Sequence, residues 1–351
     1  MSDRQSIQPA IVTPFLVGLI FIFVFVANSL YHHKTPWEDF TDFSIFWLAG
    51  KTMLEYITSG AHDQTHLLYF EPVMANTFGQ QARGLSWNYP PTGFLFFLPL
   101  GLMPEPVSRL VYNLVSVAVY AAVAARLVRF IPARHRLSAA LVFLSFPAFW
   151  LNLWAEQNGI LLSSLLFLSI MERQALPALS GAIIGAVACL KPHLALPLGF
   201  ILVFPRQREA FITGMVGTAV VLIMTSEAFV GAKGWIVWLH HVGQAVSVNS
   251  HRSLMVSSAV LFQGLPKPLC EAMWIMTAVG FGACVAAFVK ESGANTGHGS
   301  GWLSTCAITL LAWSVVVPYL MPYDLVIGVF GLVMVVTSDH GCFGQLNRRC
   351  Y

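Results

Sequence analysis

Two aspartates, Asp39 and Asp42, stand among aromatic side chains in the stretch Trp37 to Gly50, WEDFTDFSIFWLAG, just after the first membrane-length apolar run. A carboxylate within hydrogen-bond reach of a hydroxyl can take its proton as that oxygen forms a new bond. Aromatic faces such as Trp47 and, further on, Tyr89 give a sugar ring something flat to pack on. The pattern therefore suits chemistry on a saccharide carried by a lipid at a membrane surface. Burial beside Phe43 and Trp47 would raise the pKa of such an acid, and a neighbouring cation would lower it again. The same residue types also cap helices or stand as solvated loop charges, and from the residues alone Asp39 and Asp42 admit that reading as well.

A second group of polar residues offers a counterpart. Lys191 closes the apolar run GAIIGAVACL and precedes Pro192, which places it at the end of a membrane helix. There a lysine either snorkels to the interface or stabilises negative charge on a departing phosphate, with His193, His251 and Arg252 as further candidates for that anion. Glu156-Gln157-Asn158 is either a polar turn or a set of ligands for sugar hydroxyls, and an acid at a membrane boundary costs little while it faces water. Tyr319 and Tyr323 have the character of interface anchors, whereas Asp324 runs straight into an apolar segment and is harder to explain that way. His240-His241 has no third ligand at a recognisable spacing, so no metal site is predicted; no cofactor is implied and a divalent metal has no support.

The elements that must hold these groups are set by composition. With 56% hydrophobic residues, 10% charged residues and a mean hydropathy of +0.69, the 351-residue chain reads as an all-α polytopic membrane protein and a single integral membrane domain, 1–351. A crossing takes about 20 apolar residues, which leaves room for about ten. Apolar runs occur at 11–30, 107–130, 137–151, 159–171, 176–190, 193–204, 210–230, 270–290, 302–317 and 321–338. Two shorter ones, 92–103 and 253–265, are bounded by prolines or glycine; a dozen residues rise only about 18 Å as a helix, so both read as re-entrant or half helices.

Charge supports that division. With ten crossings and the N-terminus inside, Arg126, Arg129, Arg134, Arg136, Arg173, Arg206, Arg208, Lys290, Arg348 and Arg349 all fall on the cytoplasmic side, as the positive-inside tendency requires. The loop 31–90 then faces outward, with six acids against three bases. Within it Phe43, Phe46, Trp47, Met53, Leu54 and Ile57 recur at helical spacing, which predicts an amphipathic helix lying along the interface. Residues 291–301, ESGANTGHGSG, read as a flexible cytoplasmic linker. The net charge of +3 is small and scattered between segments, giving no support for nucleic-acid binding. Four of the six cysteines lie in apolar runs and two in the tail, with no metal or disulfide pattern.

The order of these marks resembles glycosyltransferase family 87, membrane enzymes of the GT-C fold that include polyprenyl-phosphate-mannose-dependent α-mannosyltransferases. Asp42-Phe43-Ser44-Ile45-Phe46 with Ala49 is similar to the family's first-loop signature of an acid followed by hydrophobic and aromatic residues. Tyr69, Tyr89-Pro90-Pro91, Pro99-Leu100, Pro104, Phe146-Pro147-Ala148, Gln157-Asn158-Gly159, Lys191-Pro192, Pro318-Tyr319-Leu320 and Tyr323-Asp324-Leu325 follow in order. The resemblance implies a GT-C-like helical bundle, a catalytic base at Asp42 with Asp39 as runner-up, and inverting transfer of mannose or another hexose from a β-linked polyprenyl phosphate to a lipid or cell-envelope glycan. It further implies residence in the bacterial inner membrane with the active site on the outer side. Two departures stand out: Glu156 occupies a position where the family usually has glycine, and SVNSHRSLMV matches the later Asn/Ser-containing region only loosely.

Two other classes compete. A transporter or flippase of a lipid-linked sugar should carry polar groups at mid-membrane and related halves, whereas here the helix centres are apolar and no halves match. A catalytically dead scaffold would have no need of both Asp42 and Lys191.

Overall fold

The computed structural model describes residues 42–59, 87–129, 131, 133–195, 198, 207–248 and 322–338, with isolated positions between 266 and 283 and between 306 and 311. Among them there is no strand. In chain order the helices are α1 (Asp42–Ser59), α2 (Gly93–Gly101), α3 (Glu105–Arg129), α4 (Ala133–Ser145), α5 (Pro147–Ala155), α6 (Gly159–Glu172), α7 (Pro177–Leu190), α8 (Arg208–Val248), a 3₁₀ turn (Pro322–Leu325) and α9 (Val326–Ser338). The expected segments 11–30 and 253–265, the linker 291–301, most of the loop 31–90, and Asp39, His251, Arg252 and Tyr319 lie outside the described residues.

Proline punctuates these helices. The run expected to form one segment over 137–151 is two helices, because Phe146 is extended (ψ 121) ahead of Pro147, which opens α5 at its first position. Pro177 starts α7 in the same way, and Lys191, the residue before Pro192, leaves helical geometry (φ −133, ψ 80) and ends it. The short run at 92–103 is a nine-residue helix, α2. α8 is two helices joined at Gly231, whose φ of 64 and ψ of 170 only glycine adopts readily.

The described residues group into two compact units. The first draws on Phe40–Val117 and Leu168–Met255, the second on Ala118–Phe167 and Val256–Tyr351, so α3 and α6 contribute to both.

The first unit is assembled by backbone-to-backbone approach at small residues. A Cβ added to Gly181 would collide with the Phe211 carbonyl oxygen, one at Gly185 with that of Met215, and one at Gly214 with that of Ala178. Gly181 and Gly185 are four apart on α7 and so share a face, which seats α7 on α8. Gly50 and Gly101 do the same for α1 and α2. Hydroxyls lock the contacts that apolar packing cannot orient. Ser169 Oγ donates to the Ser180 carbonyl and Ser180 Oγ to that of Ser169, each at 2.9 Å, and the Thr92 hydroxyl donates to the Cys189 carbonyl. Arg173, in the turn between α6 and α7, is buried with its guanidinium carbon 4.7 Å from the Phe211 ring centroid. Loss of hydration draws the Arg173 pKa below its usual value.

The second unit is built around buried aromatic rings. Tyr120, Phe143, Phe149, Phe167 and Phe330 are all buried, with Phe167 stacked on Phe330 at 4.6 Å and Tyr120 on Phe149 at 4.8 Å. The Tyr120 hydroxyl, which could not be buried unbonded without cost, donates to the Phe143 carbonyl at 2.9 Å.

Two helices, Glu105–Arg129 and Arg208–His240, are long and apolar enough to cross a membrane. Only 11% of the most apolar window of the second is buried, and Val216, Val220, Val221, Ile223 and Met224 are exposed along it. An apolar face this open belongs in lipid rather than water.

Candidate active site

Each unit collects polar side chains where its helices end, and each contains part of the set expected from sequence.

In the first unit Asp42 is half-buried and is the first residue of α1. A helix N-terminus carries partial positive charge, which favours an ionised carboxylate there. The helix itself differs from expectation. All eight residues from Phe43 to Gly50 are buried, so its first two turns are enclosed on every side rather than floated on an interface. Trp47 is part of that enclosure: its indole N–H donates to the Met103 carbonyl at 2.9 Å, and Lys51 Nζ lies 5.1 Å from its ring centroid. Phe46, one turn beyond Asp42, stacks on Phe97 at 4.3 Å and meets Tyr89 edge-on at 5.5 Å.

Tyr89 belongs to a turn built by Pro90 and Pro91, whose carbonyls accept from the N–H groups of Gly93 and Phe94 at 2.8 and 3.2 Å. Trp87 backs this turn, stacked on Phe94 at 4.6 Å and 5.2 Å from Tyr89, while the Trp238 indole donates to the Asn88 carbonyl at 3.4 Å. Half-buried Tyr89 is thereby fixed, with Lys191 Nζ 5.8 Å from its ring centroid. Lys191 is buried to 6% exposure, so it has not snorkelled into open solvent; it is held where it leaves α7, with its own N–H donating to the Val187 carbonyl at 2.7 Å. His193 is half-buried on the turn that follows Pro192. Asp42, Tyr89 and Lys191 thus share one unit, linked through Phe46 and the Tyr89 ring.

The second unit holds the other group. Glu156 ends α5 in the left-handed conformation (φ 50, ψ 41) and is fully buried, so this acid does not face water. A non-glycine residue held this way costs about 1–2 kcal/mol. The turn is closed by the Gln157 N–H on the Asn152 carbonyl at 3.0 Å, and the Asn158 carbonyl accepts from Leu162 at 2.9 Å to start α6. Gln157 and Asn158 are buried with it. Against α5 packs the 3₁₀ turn Pro322–Leu325, which carries Asp324 at 2% exposure. The Tyr323 backbone is in that turn, and its side chain lies outside the described residues. No group of three or more His, Cys, Asp or Glu suited to a metal occurs among the described residues.

Sequence reasoning passed over Glu105, Arg109, Thr92, Trp87 and Trp238. The pair Glu105 and Arg109 was visible as an i,i+4 couple at a helix start, and Thr92 as the residue following a double proline. Trp238 gave no local signal, because its partner Asn88 is 150 residues away.

Among the described residues the helices include two long and apolar enough to cross a membrane, one with its apolar face left open, which is the architecture of an integral membrane protein. The chain belongs to glycosyltransferase family 87, whose profile matches residues 87–318, well over half its length. Tyr89, Glu156 to Asn158, Lys191 and His193 lie inside that match, and Asp42 and Asp324 outside it. No curated protein and no solved structure gave a match.

Proposed function

We propose that this glycosyltransferase moves mannose or another hexose, with inversion, from a polyprenyl-phosphate donor to a lipid or cell-envelope glycan. The reaction is assigned to the outer face of the bacterial inner membrane, with about ten crossings and the 31–90 loop outside. The acceptor oxygen attacks the anomeric carbon, its proton passes to Asp42, and the bond from that carbon to the phosphate oxygen breaks. Polyprenyl phosphate leaves with the electron pair, its charge met by Lys191 and, in support, His193, His251 and Arg252. Tyr89 walls the sugar. Glu156, Gln157, Asn158 and Asp324, together with Tyr319 and Tyr323, are assigned to sugar hydroxyls, for which buried carboxylates and amides are suited acceptors and donors. The polyprenyl chain of the donor is accommodated by surrounding membrane lipid.

One observation carries this reading: the Tyr89 ring meets both Phe46, one turn from Asp42, at 5.5 Å and Lys191 Nζ at 5.8 Å. An acid, an aromatic wall and a cation are what transfer from a sugar phosphate needs.

The test is Asp42→Asn, which keeps the shape of the side chain and removes its basicity. Turnover is measured with tritiated polyprenyl-phosphate mannose and membranes from a strain lacking the protein as acceptor. A fall of about 10²-fold or more is expected for loss of a general base. Wild-type turnover in this variant would remove Asp42 from the mechanism.

A further inference from the structure

The first turn of α1 does not hold itself in place. Arg109, on the second turn of α3, donates from Nε to Glu105 Oε1 at 2.9 Å and pairs with the same oxygen through Nη2. From there Nη2 reaches Ser44 Oγ at 3.3 Å, and the guanidinium carbon sits 5.5 Å from the Phe43 ring centroid. Phe43 is also held by Tyr112, one turn further along α3, with ring centroids 5.4 Å apart. Phe43 and Ser44 are the two residues that follow Asp42.

We propose that Arg109 is a positioning residue for Asp42, fixing the first turn of α1 so that the carboxylate is presented in one place. The inference rests on the role assigned to Asp42 above. An exposed i,i+4 ion pair would contribute little and restrain nothing beyond its own helix. This one is different in two respects. Its side chains keep only 17% and 21% of their exposure, and the arginine also bonds a helix 65 residues away in sequence. Glu105 aims the guanidinium, and the guanidinium holds the turn. Two edges and a face are used at once, which a planar fork can do and the single ammonium of lysine cannot.

The experiment compares Arg109→Lys, Arg109→Ala and Ser44→Ala in the full-length protein, with the donor and acceptor membranes used for Asp42→Asn. Turnover is expressed per folded molecule, the folded fraction being read from the monodisperse size-exclusion peak. A displaced base lowers kcat and leaves donor KM unchanged, and a shift of the order of 1 Å costs about 10²-fold. Arg109→Ala should show that loss, and Arg109→Lys should fall nearer to it than to wild type. Ser44→Ala should lose less, and adding it to Arg109→Ala should cost nothing more, because the contact is already gone. If Arg109→Ala does not fold, Arg109→Lys and Ser44→Ala carry the test.

Full kcat in Arg109→Lys, or a loss that tracks the folded fraction alone, overturns the proposal. Should Asp42→Asn be inactive while both arginine variants turn over normally, this inference fails and the role of Asp42 stands. If Asp42→Asn remains active, the two fall together.

Discussion

The two units solve the same problem, how to hold polar groups in a membrane protein, with different materials. In the first, Gly181, Gly185, Gly214, Gly50 and Gly101 let helix backbones touch, and the groups proposed to act stand at helix termini: Asp42 at the start of α1, Lys191 at the end of α7. In the second, aromatic rings fill the space between helices, and the polar groups come from turns, Glu156 in a left-handed cap and Asp324 in a 3₁₀ turn. Rings tolerate adjustment that touching backbones do not. The difference also sorts the chemistry, since a cation beside an aromatic face suits a sugar phosphate, and amides with carboxylates suit neutral hydroxyls.

That contrast breaks most visibly at the glycines. Gly181→Leu drives a branched side chain into the Phe211 backbone, and no rotamer avoids a collision that begins at Cβ. The cost should reach or exceed the top of the ~1–3 kcal/mol range for overpacking, and the folded yield in detergent should collapse. Gly328→Ala in the second unit is the control: its nearest neighbours, Leu311 Cδ2 and Phe146 Cζ, are 4.0 Å from an added Cβ. Its melting temperature should match wild type. Equal damage from both substitutions would mean that the two units are packed alike.

Lys191→Ala sharpens the chemical half of the comparison. A charge-assisted bond to phosphate is worth about 1.5–3 kcal/mol, so donor kcat/KM should fall about 10- to 100-fold with acceptor KM unchanged. Titrating donor at fixed acceptor, and the reverse, separates the two. An effect confined to the acceptor would move Lys191 out of the phosphate role.

How far the residues alone revealed this arrangement depended on whether the signal was local. Helix ends at Pro147, Pro177 and Pro192 follow from backbone restriction at proline, and the proline at 147 was legible yet overridden by the apolar run around it. Asp42, Tyr89 and Lys191 could be singled out because each stands beside a recognisable break or aromatic run. Their association could not, because it passes through Phe46 and Tyr89 and depends on how α1 meets the Pro90-Pro91 turn. Hydrophobic spacing gave α1 its helix but misjudged its setting: Ser44, Ala49, Gly50 and Thr52 are buried too, and small residues close to a neighbouring backbone carry no apolar signature. The residues alone leave Glu156 as either a polar turn or a sugar ligand, and only the fold shows it enclosed.

Glu156 gives the subtlest separation of the two units. At φ 50 the chain accepts a backbone conformation that glycine takes at no steric cost, and it does so to bury a carboxylate. If that carboxylate serves a sugar hydroxyl, stability and function must pull in opposite directions at this residue. Glu156→Gly should relieve about 1 kcal/mol of left-handed strain, offset in part by the greater freedom of glycine in the unfolded chain, leaving the melting temperature unchanged or slightly raised. On the proposed assignment, with the hydroxyl taken as the acceptor's, acceptor KM should rise while donor KM should not. Glu156→Gln provides the complementary measurement, since it keeps the strain and the volume but removes the charge. A drop in melting temperature for Glu156→Gly with acceptor KM unaltered would show the carboxylate to be a structural tie within its own turn, and the proposed sugar contacts of the second unit would then rest on Gln157, Asn158, Asp324, Tyr319 and Tyr323.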